Sequence, residues 1–385
     1  MRTARPYLLL ILLLTGIGLG CKKAYTPPAT TTNLNLLVVD GILTSGNGVS
    51  STFNLSRTNP LTDTTNAYTV EHGAEVTILG SAGDSYSCTD IGTGAYVSTP
   101  LTLNPSETYQ LKIVTSNGSQ YLSDPVPVQP APPIDSLSFQ QSDSTGNVLI
   151  SVNAHDPTGN SHYYRWFFTE TWEYHSEINS ELVIENNQVI YSDSTDSAYR
   201  CYRSDASSDI LIGTSSGLSQ DRVSQAPIAT IPRGDQKISV RYSMLASQYV
   251  LTQTAYQYWL TIEHNTQNLG SLFDPQPSTL NGNYHCTSNP NEPVIGYLSA
   301  GSIQQKRFFI DRSQISNWDT TAPACPAFGT QQTPYPVGYQ ASISDWDTSE
   351  YGPYYYAGAG IIIITYKVCV DCRVQGGTVL KPSFW

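Results

Sequence analysis

From residue 34 to about residue 130 apolar residues never persist long enough to form a helix face. They come in short runs that alternate with polar residues and are broken by turn formers. The segments 36–43, 52–56, 74–79, 85–88, 95–98, 108–115 and 121–128 have this period of two, which sends alternate side chains to opposite faces of a pleated strand. Asn47-Gly48 and Asn117-Gly118-Ser119 are turn signals between them. Strands of this number and spacing predict an immunoglobulin-like β-sandwich over 34–130.

Two local patterns support the sandwich. Leu103-Asn104-Pro105 followed by Tyr109 and Leu111 resembles the L-x-P-x-x-x-Y-x-[LV] run of fibronectin type III domains. There the tyrosine hydroxyl folds back to bond an upstream carbonyl. Gly73-Ala74-Glu75-Val76, Thr89-Asp90 and Gly94-Ala95-Tyr96 resemble the transthyretin-like carboxypeptidase regulatory sandwich. Both imply the same two-sheet architecture. Pro130-Ala131-Pro132-Pro133 is a stiff linker, and the second unit runs over 134–385. It reads as β-rich, with strands near 136–139, 148–152, 163–169 and 237–242, among others, and four consecutive isoleucines, Ile361 to Ile364, in a buried strand. One helix is expected near 252–269. Ala255, Tyr258, Trp259, Ile262, Thr266 and Leu269 recur at helical spacing, with Thr252 as N-cap and Gly270 as stop. The fold class is therefore mainly β with one prominent helix.

Residues 1–20 have the order of an export signal: Arg2 and Arg5, an apolar run, then Gly16, Gly18 and Gly20 leading to Cys21. The apolar run is shorter than the roughly 20 residues a membrane-spanning helix needs. Leu19-Gly20-Cys21 fits the end of a lipoprotein signal, so Cys21 is the expected lipid-attachment residue and the membrane a partner through that anchor. Gly18 departs from the aliphatic residue usual three before the cysteine. Residues 21–33, rich in Thr and Pro, read as a spacer. The net charge of −12 argues against nucleic acid as a partner, because its phosphates would repel the body.

An acylated Cys21 leaves Cys88, Cys201, Cys286, Cys325, Cys369 and Cys372, an even number in an oxidising compartment, and all six are candidates for disulfides. Spacing does not choose among the 15 pairings. Cys369-Val370-Asp371-Cys372 has no second C-x-x-C or histidine pair to complete a zinc site. It also lacks the following helix of a thioredoxin-like motif, so it is expected to staple the C-terminal segment to the body or to itself. No cofactor or metal site is expected.

Gly213-Thr214-Ser215-Ser216-Gly217 matches G-x-S-x-G, with Asp274 and His285 following in hydrolase order. The elbow that lifts such a serine needs strand, turn and helix in an alternating α/β chain, which this is not. Asp156 and the pair Asp345 and Asp347 lack the remaining ligands of a calcium loop and suit turns instead. Glu170 and Glu173 form a carboxylate pair of unknown separation. A binding or assembly role is therefore expected and an enzyme is not. The aromatic clusters 163–168, Trp172 with Tyr174, and Tyr351 with Tyr354, Tyr355 and Tyr356 are either strand cores or anchors for a partner. Gly352 and Pro353 place part of the last cluster on a loop, which makes Tyr351, Tyr354, Tyr355 and Tyr356 the candidate partner-binding residues.

Across nearly the whole chain these stretches resemble the domain-of-unknown-function lipoprotein family DUF4249 of the Bacteroidota. The residues that carry the resemblance include His155-Asp156-Pro157, Ala255-Tyr256-Gln257-Tyr258-Trp259, Gly270-Ser271-Leu272-Phe273-Asp274-Pro275-Gln276-Pro277, Asn289-Pro290-Asn291-Glu292-Pro293 and the ending Lys381-Pro382-Ser383-Phe384-Trp385. The resemblance implies an outer-membrane lipoprotein, encoded beside a TonB-dependent nutrient receptor and acting as its accessory binding subunit. It implies no catalytic residues and no particular cargo. A structural or adhesive envelope lipoprotein is the alternative, and a secreted hydrolase a distant one. Lys22-Lys23-Ala24 stands where an acidic surface-export signal would follow Cys21, so the membrane face is left open.

Overall fold

The computed structural model describes residues 35–46, 48–59, 68–186, 188–191, 198–267, 280–321, 323–329, 347–357 and 362–385. The expected signal, Cys21 and the spacer lie outside the described residues, as do Gly270, Asp274 and Asp345. The chain is mainly β, as its periodicity predicts.

In the first unit two sheets enclose one core. One sheet runs in the order Ile295–Gly296, Leu37–Gly41, Thr52–Thr58, Ala95–Val97, Thr89–Asp90. The other runs Leu43–Thr44, Ala300–Gly301, Val126–Gln129, Thr108–Val114, Gln120–Ser123, Tyr284–Cys286, with Glu75–Gly80 and Ser85–Ser87 branching from it. Leu37, Val39, Phe53, Leu55 and Tyr96 of the first meet Val76, Ile78, Leu111, Ile113 and Tyr121 of the second. These are the inward-facing members of each alternating run, and their removal from water is the main force holding the sheets together. The Tyr109 hydroxyl does reach back along the chain, but it accepts from the Asn104 N–H at 3.0 Å; it does not donate to a carbonyl.

A boundary near residue 130 does not separate two self-contained units. Residues 284–301 return to the first one: Tyr284–Cys286 pairs with Gln120–Ser123, Ile295 lies beside Val38 and Ala300 beside Leu43 and Val128. Tyr284, Cys286, Leu298 and Ala300 are buried in the first core. A self-contained immunoglobulin-like domain over 34–130 would not need these strands.

The second unit packs the three-stranded sheet of Ile134–Gln141, Val148–His155 and Arg222–Ile231 against a five-stranded sheet. The latter is built on the long strand Tyr163–His175, flanked by Arg200–Ala206, Leu211–Thr214 and Arg241–Val250, with Gln304–Asp311 at its edge. Val148, Ile150, Val152 and Ile228 meet Trp166, Trp172, Tyr242 and Met244 between the sheets. A smaller lobe holds the hairpin Leu182–Glu185/Gln188–Tyr191 and a sheet of Phe328–Gly329, Ile362–Tyr366 and Tyr351–Tyr356 around Leu182, Val189, Ile362 and Ile364. The helix spans Gln253–Gln267. Thr252 caps it as expected, its hydroxyl accepting from the Ala255 N–H at 3.2 Å.

Candidate functional site

Ser215 sits in the turn after the strand Leu211–Thr214, is almost wholly buried, and bonds Asp221 Oδ1 directly. The same carboxylate accepts from the Tyr164 hydroxyl at 3.0 Å and the Ser161 N–H at 3.0 Å. His162 Nδ1 lies 3.9 Å from it on the outer side. A hydrolase relay places an imidazole between serine and carboxylate; here the carboxylate takes the hydroxyl itself and ties three chain segments together. Burial, and then the Asp221 charge, raise the Tyr164 phenol far above its ordinary value. His285 is elsewhere, 3.0 Å from Asp124.

The carboxylates singled out in the sequence each have a local account. Asp156 accepts from the Thr158 N–H and hydroxyl at 2.8 and 2.7 Å. Partial burial alone would raise its pKa, but bonds from Thr158, Ser161 and Asn160 outweigh that and hold it down to about 2. Asp347 accepts from the Ser349 N–H and hydroxyl. Glu170 and Glu173, three apart on one strand, point to opposite faces. Glu170 pairs with Lys237 at 2.6 Å, and Glu173 pairs with Arg200 at 3.1 Å and accepts from the Trp385 indole at 3.0 Å. They do not flank a common space. Among the described residues no group of three or more His, Cys, Asp or Glu could hold a metal, and no helix is long and apolar enough to cross a membrane.

Four of the six cysteines pair: Cys201 with Cys372, and Cys325 with Cys369. Both cysteines of the C-x-x-C therefore staple the C-terminal segment to other parts of the body. Cys88 and Cys286 are free, which corrects the expectation of a third crosslink. The sheet register gives the reason. Cys88 lies opposite Val76, Val76 opposite Ile113, Ile113 opposite Tyr121 and Tyr121 opposite Cys286. Four strand spacings put the two about 19 Å apart, far beyond the roughly 4.4–6.8 Å between Cα atoms that a disulfide allows.

The tyrosine cluster lies on a strand, not a loop. Tyr351–Tyr356 pairs with Ile362–Tyr366, with an irregularity between Pro353 and Tyr355. Tyr351 and Tyr356 pack against Ile362 and Ile364, Tyr351 also stacking on Tyr366 at 5.6 Å. Tyr354 is half-buried against Tyr355, which is 44% exposed. Tyr191, 66% exposed and 5.3 Å from the Tyr356 ring, joins this surface. Its place in a four-residue strand gave no sequence signal beyond an aromatic residue at a strand end. The other two clusters are mostly core: Tyr164, Trp166, Trp172 and Tyr174 are buried, and Phe167 is exposed.

The family model for the domain of unknown function DUF4249 matches residues 22–307. The chain belongs to the DUF4249 family. The match covers the first unit, the helix and most of the second sandwich of this DUF4249 protein; it ends within the edge strand Gln304–Asp311, before the tyrosine strand and the cysteines Cys325, Cys369 and Cys372. No curated protein matches it. Among solved structures it is similar to a DUF4785 family protein from Legionella pneumophila, at 9% identity and a TM-score of 0.17, over 55% of this chain and 52% of that one. It is also similar to chitinase ChiA74 from Bacillus thuringiensis, at 12% identity and a TM-score of 0.14, over 50% of this chain and 28% of that one. The chain thus spans about half the length of the former and less of the latter, and likenesses this weak carry no argument.

Within the matched stretch, Ala255, Tyr256, Tyr258 and Trp259 dock the helix, while Gln257 between them stays exposed. Tyr258 packs on Tyr297 of the first unit at 5.2 Å between ring centroids. On the second unit, Tyr256 packs on Tyr163 and the Arg165 guanidinium lies 3.3 Å from the centre of the Trp259 ring. One turn of helix clamps both units.

Proposed function

We propose that this DUF4249 protein is a lipoprotein, anchored through Cys21 to the outer membrane, and an accessory binding subunit of a TonB-dependent nutrient receptor. The observation that carries the reading is the sequence order at the N-terminus. Two arginines and an apolar run end in Leu19-Gly20-Cys21 ahead of a Thr- and Pro-rich spacer. An acyl anchor confines the body to the membrane surface, so a weak intrinsic affinity for a membrane partner suffices through raised effective concentration. The exposed rings of Tyr191 and Tyr355, beside Tyr354 and Tyr356, supply the aromatic anchors that protein interfaces favour.

Detergent extraction of the tagged protein from its own cells, pull-down and mass spectrometry test the partner. Recovery of a TonB-dependent receptor is expected, and it should diminish in Tyr191→Ala/Tyr355→Ala. A clean monomer in cells that express such a receptor overturns the reading. Metabolic labelling with a radioactive fatty acid tests the anchor: label on the wild type and none on Cys21→Ser is expected.

A further inference from the structure

A cleft of about 660 Å³ opens where the helix Gln253–Gln267 meets the first unit, beside Asp124–Pro127 and Asn281. Its volume falls within the range of about 300–1,000 Å³ typical of small-ligand sites, and the junction of two units is where such sites concentrate. Gln253, Gln257 and Thr261 stand four residues apart on the helix and so form one stripe along the cleft.

The polar groups divide into those already engaged and those left over. Asn283 bonds the Leu298 main chain at both ends of its amide, at 3.0 and 2.7 Å. Tyr297 shares a 2.7 Å bond with Thr254. By contrast, the exposed side-chain amides of Gln253, Gln257 and Asn281 meet no partner among the described residues. Each offers two donors and one acceptor. Among the described residues no lysine or arginine lines the cleft, so none of them neutralises a phosphate or carboxylate there. Its single carboxylate among the described residues, Asp124, is already paired with His285 at 3.0 Å. The bordering strand Val126–Gln129, preceded by Pro125 and lacking a main-chain donor at Pro127, already pairs with a strand on each side, so a peptide cannot add there as a further strand. The rings of Pro125 and Pro127, with Tyr297, give apolar faces beside the amides.

We infer that this cleft binds an uncharged polyhydroxyl ligand, a neutral oligosaccharide, through the amides of Gln253, Gln257 and Asn281. Amides that both donate and accept match sugar hydroxyls, which do the same, and proline or tyrosine faces suit the apolar face of a pyranose ring. The inference deepens the proposed accessory role by naming its cargo class, yet its test needs no receptor, so the two can fail separately.

The experiment is to probe the purified full chain on an array of neutral and acidic glycans and then titrate the best neutral oligosaccharide by calorimetry. Binding to neutral glycans is expected. Gln253→Ala/Gln257→Ala should weaken it about thirtyfold, the worth of two ordinary hydrogen bonds. Both residues are solvent-facing helix positions that tolerate alanine, so the melting temperature should hold, and Tyr355→Ala should leave the affinity unchanged. Three results overturn the inference: no neutral glycan bound, binding confined to acidic glycans, or equal affinity in the double variant.

Discussion

Removing the Cys201–Cys372 crosslink, by Cys201→Ser/Cys372→Ser, should destabilise the protein more than removing Cys325–Cys369. The two bonds span 171 and 44 residues of chain. The second lies inside the first, so with it intact the path closed by Cys201–Cys372 shortens to roughly 130 residues. Loop-closure entropy then assigns about 5 kcal/mol to the long bond and about 4 kcal/mol to the short one. The environments widen the gap. Cys201 and Cys372 are both fully buried in the core of the second unit, so two hydroxyls replacing them lose packing as well. Cys369 is equally buried, but its partner Cys325 is only half-buried, so one cysteine of the short bond loses less. Urea unfolding followed by tryptophan fluorescence, for the wild type and both double variants, gives the comparison, with peptide mapping of unreduced protein to fix the pairing. A loss under about 1 kcal/mol for Cys201→Ser/Cys372→Ser, against the 2–5 kcal/mol usual for a native disulfide, would refute the reasoning. A Cys369–Cys372 pairing in the map would refute it too.

Trp259→Ala uncovers Arg165, whose Nε is buried without a partner, and should cost about 3 kcal/mol by the same urea assay. Gly296→Ala should be worse than an ordinary alanine substitution. At φ +145° an added Cβ would run into the Val39 carbonyl across the parallel pairing, so the melting temperature should fall by several degrees. Burial pushes the Cys88 thiol from 9.0 up to about 11. Because the folded state favours the protonated form, its contribution is whole below pH 9 and is lost as pH rises toward 11. The stability difference between wild type and Cys88→Ala should shrink across that window, and the thiol should react slowly with a disulfide reagent at pH 8.

The period-two runs made the strands legible because one face of each is buried: Leu37 and Val39, Val76 and Ile78, Leu111 and Ile113 all point inward as alternation requires. The helix was legible from its apolar stripe and from Thr252. The return of residues 284–301 was not. Tyr284–Cys286, Ile295–Gly296 and Ala300–Gly301 are two or three residues long, too short for any period to show. Their partners lie far back in the chain. The traces they leave are glycines: a Cβ on Gly282 or Gly301 would overlap the carbonyl of Gly296 or Gln129. Cysteine parity suggested three crosslinks, yet parity carries no distance, and the register keeps Cys88 from Cys286. Of the candidate surface, Tyr351 to Tyr356 was visible as composition. Which rings would be covered depended on pairing with the isoleucine strand, and Tyr191 joined only through the fold.

The strands of residues 284–301 also set an order of events. Val38 finds its parallel neighbour at Ile295, and Leu43 finds its own at Ala300. A chain emerging N-terminus first therefore exposes the flanks of Leu37–Gly41, Val126–Gln129 and Gln120–Ser123 until about 300 residues have been delivered. Closing loops of that length before the contacts form is entropically slow, and open sheet edges invite pairing with other chains in the meantime. The first unit to emerge is thus among the last to finish, and a chain truncated after residue 130 would leave with its edges unsealed.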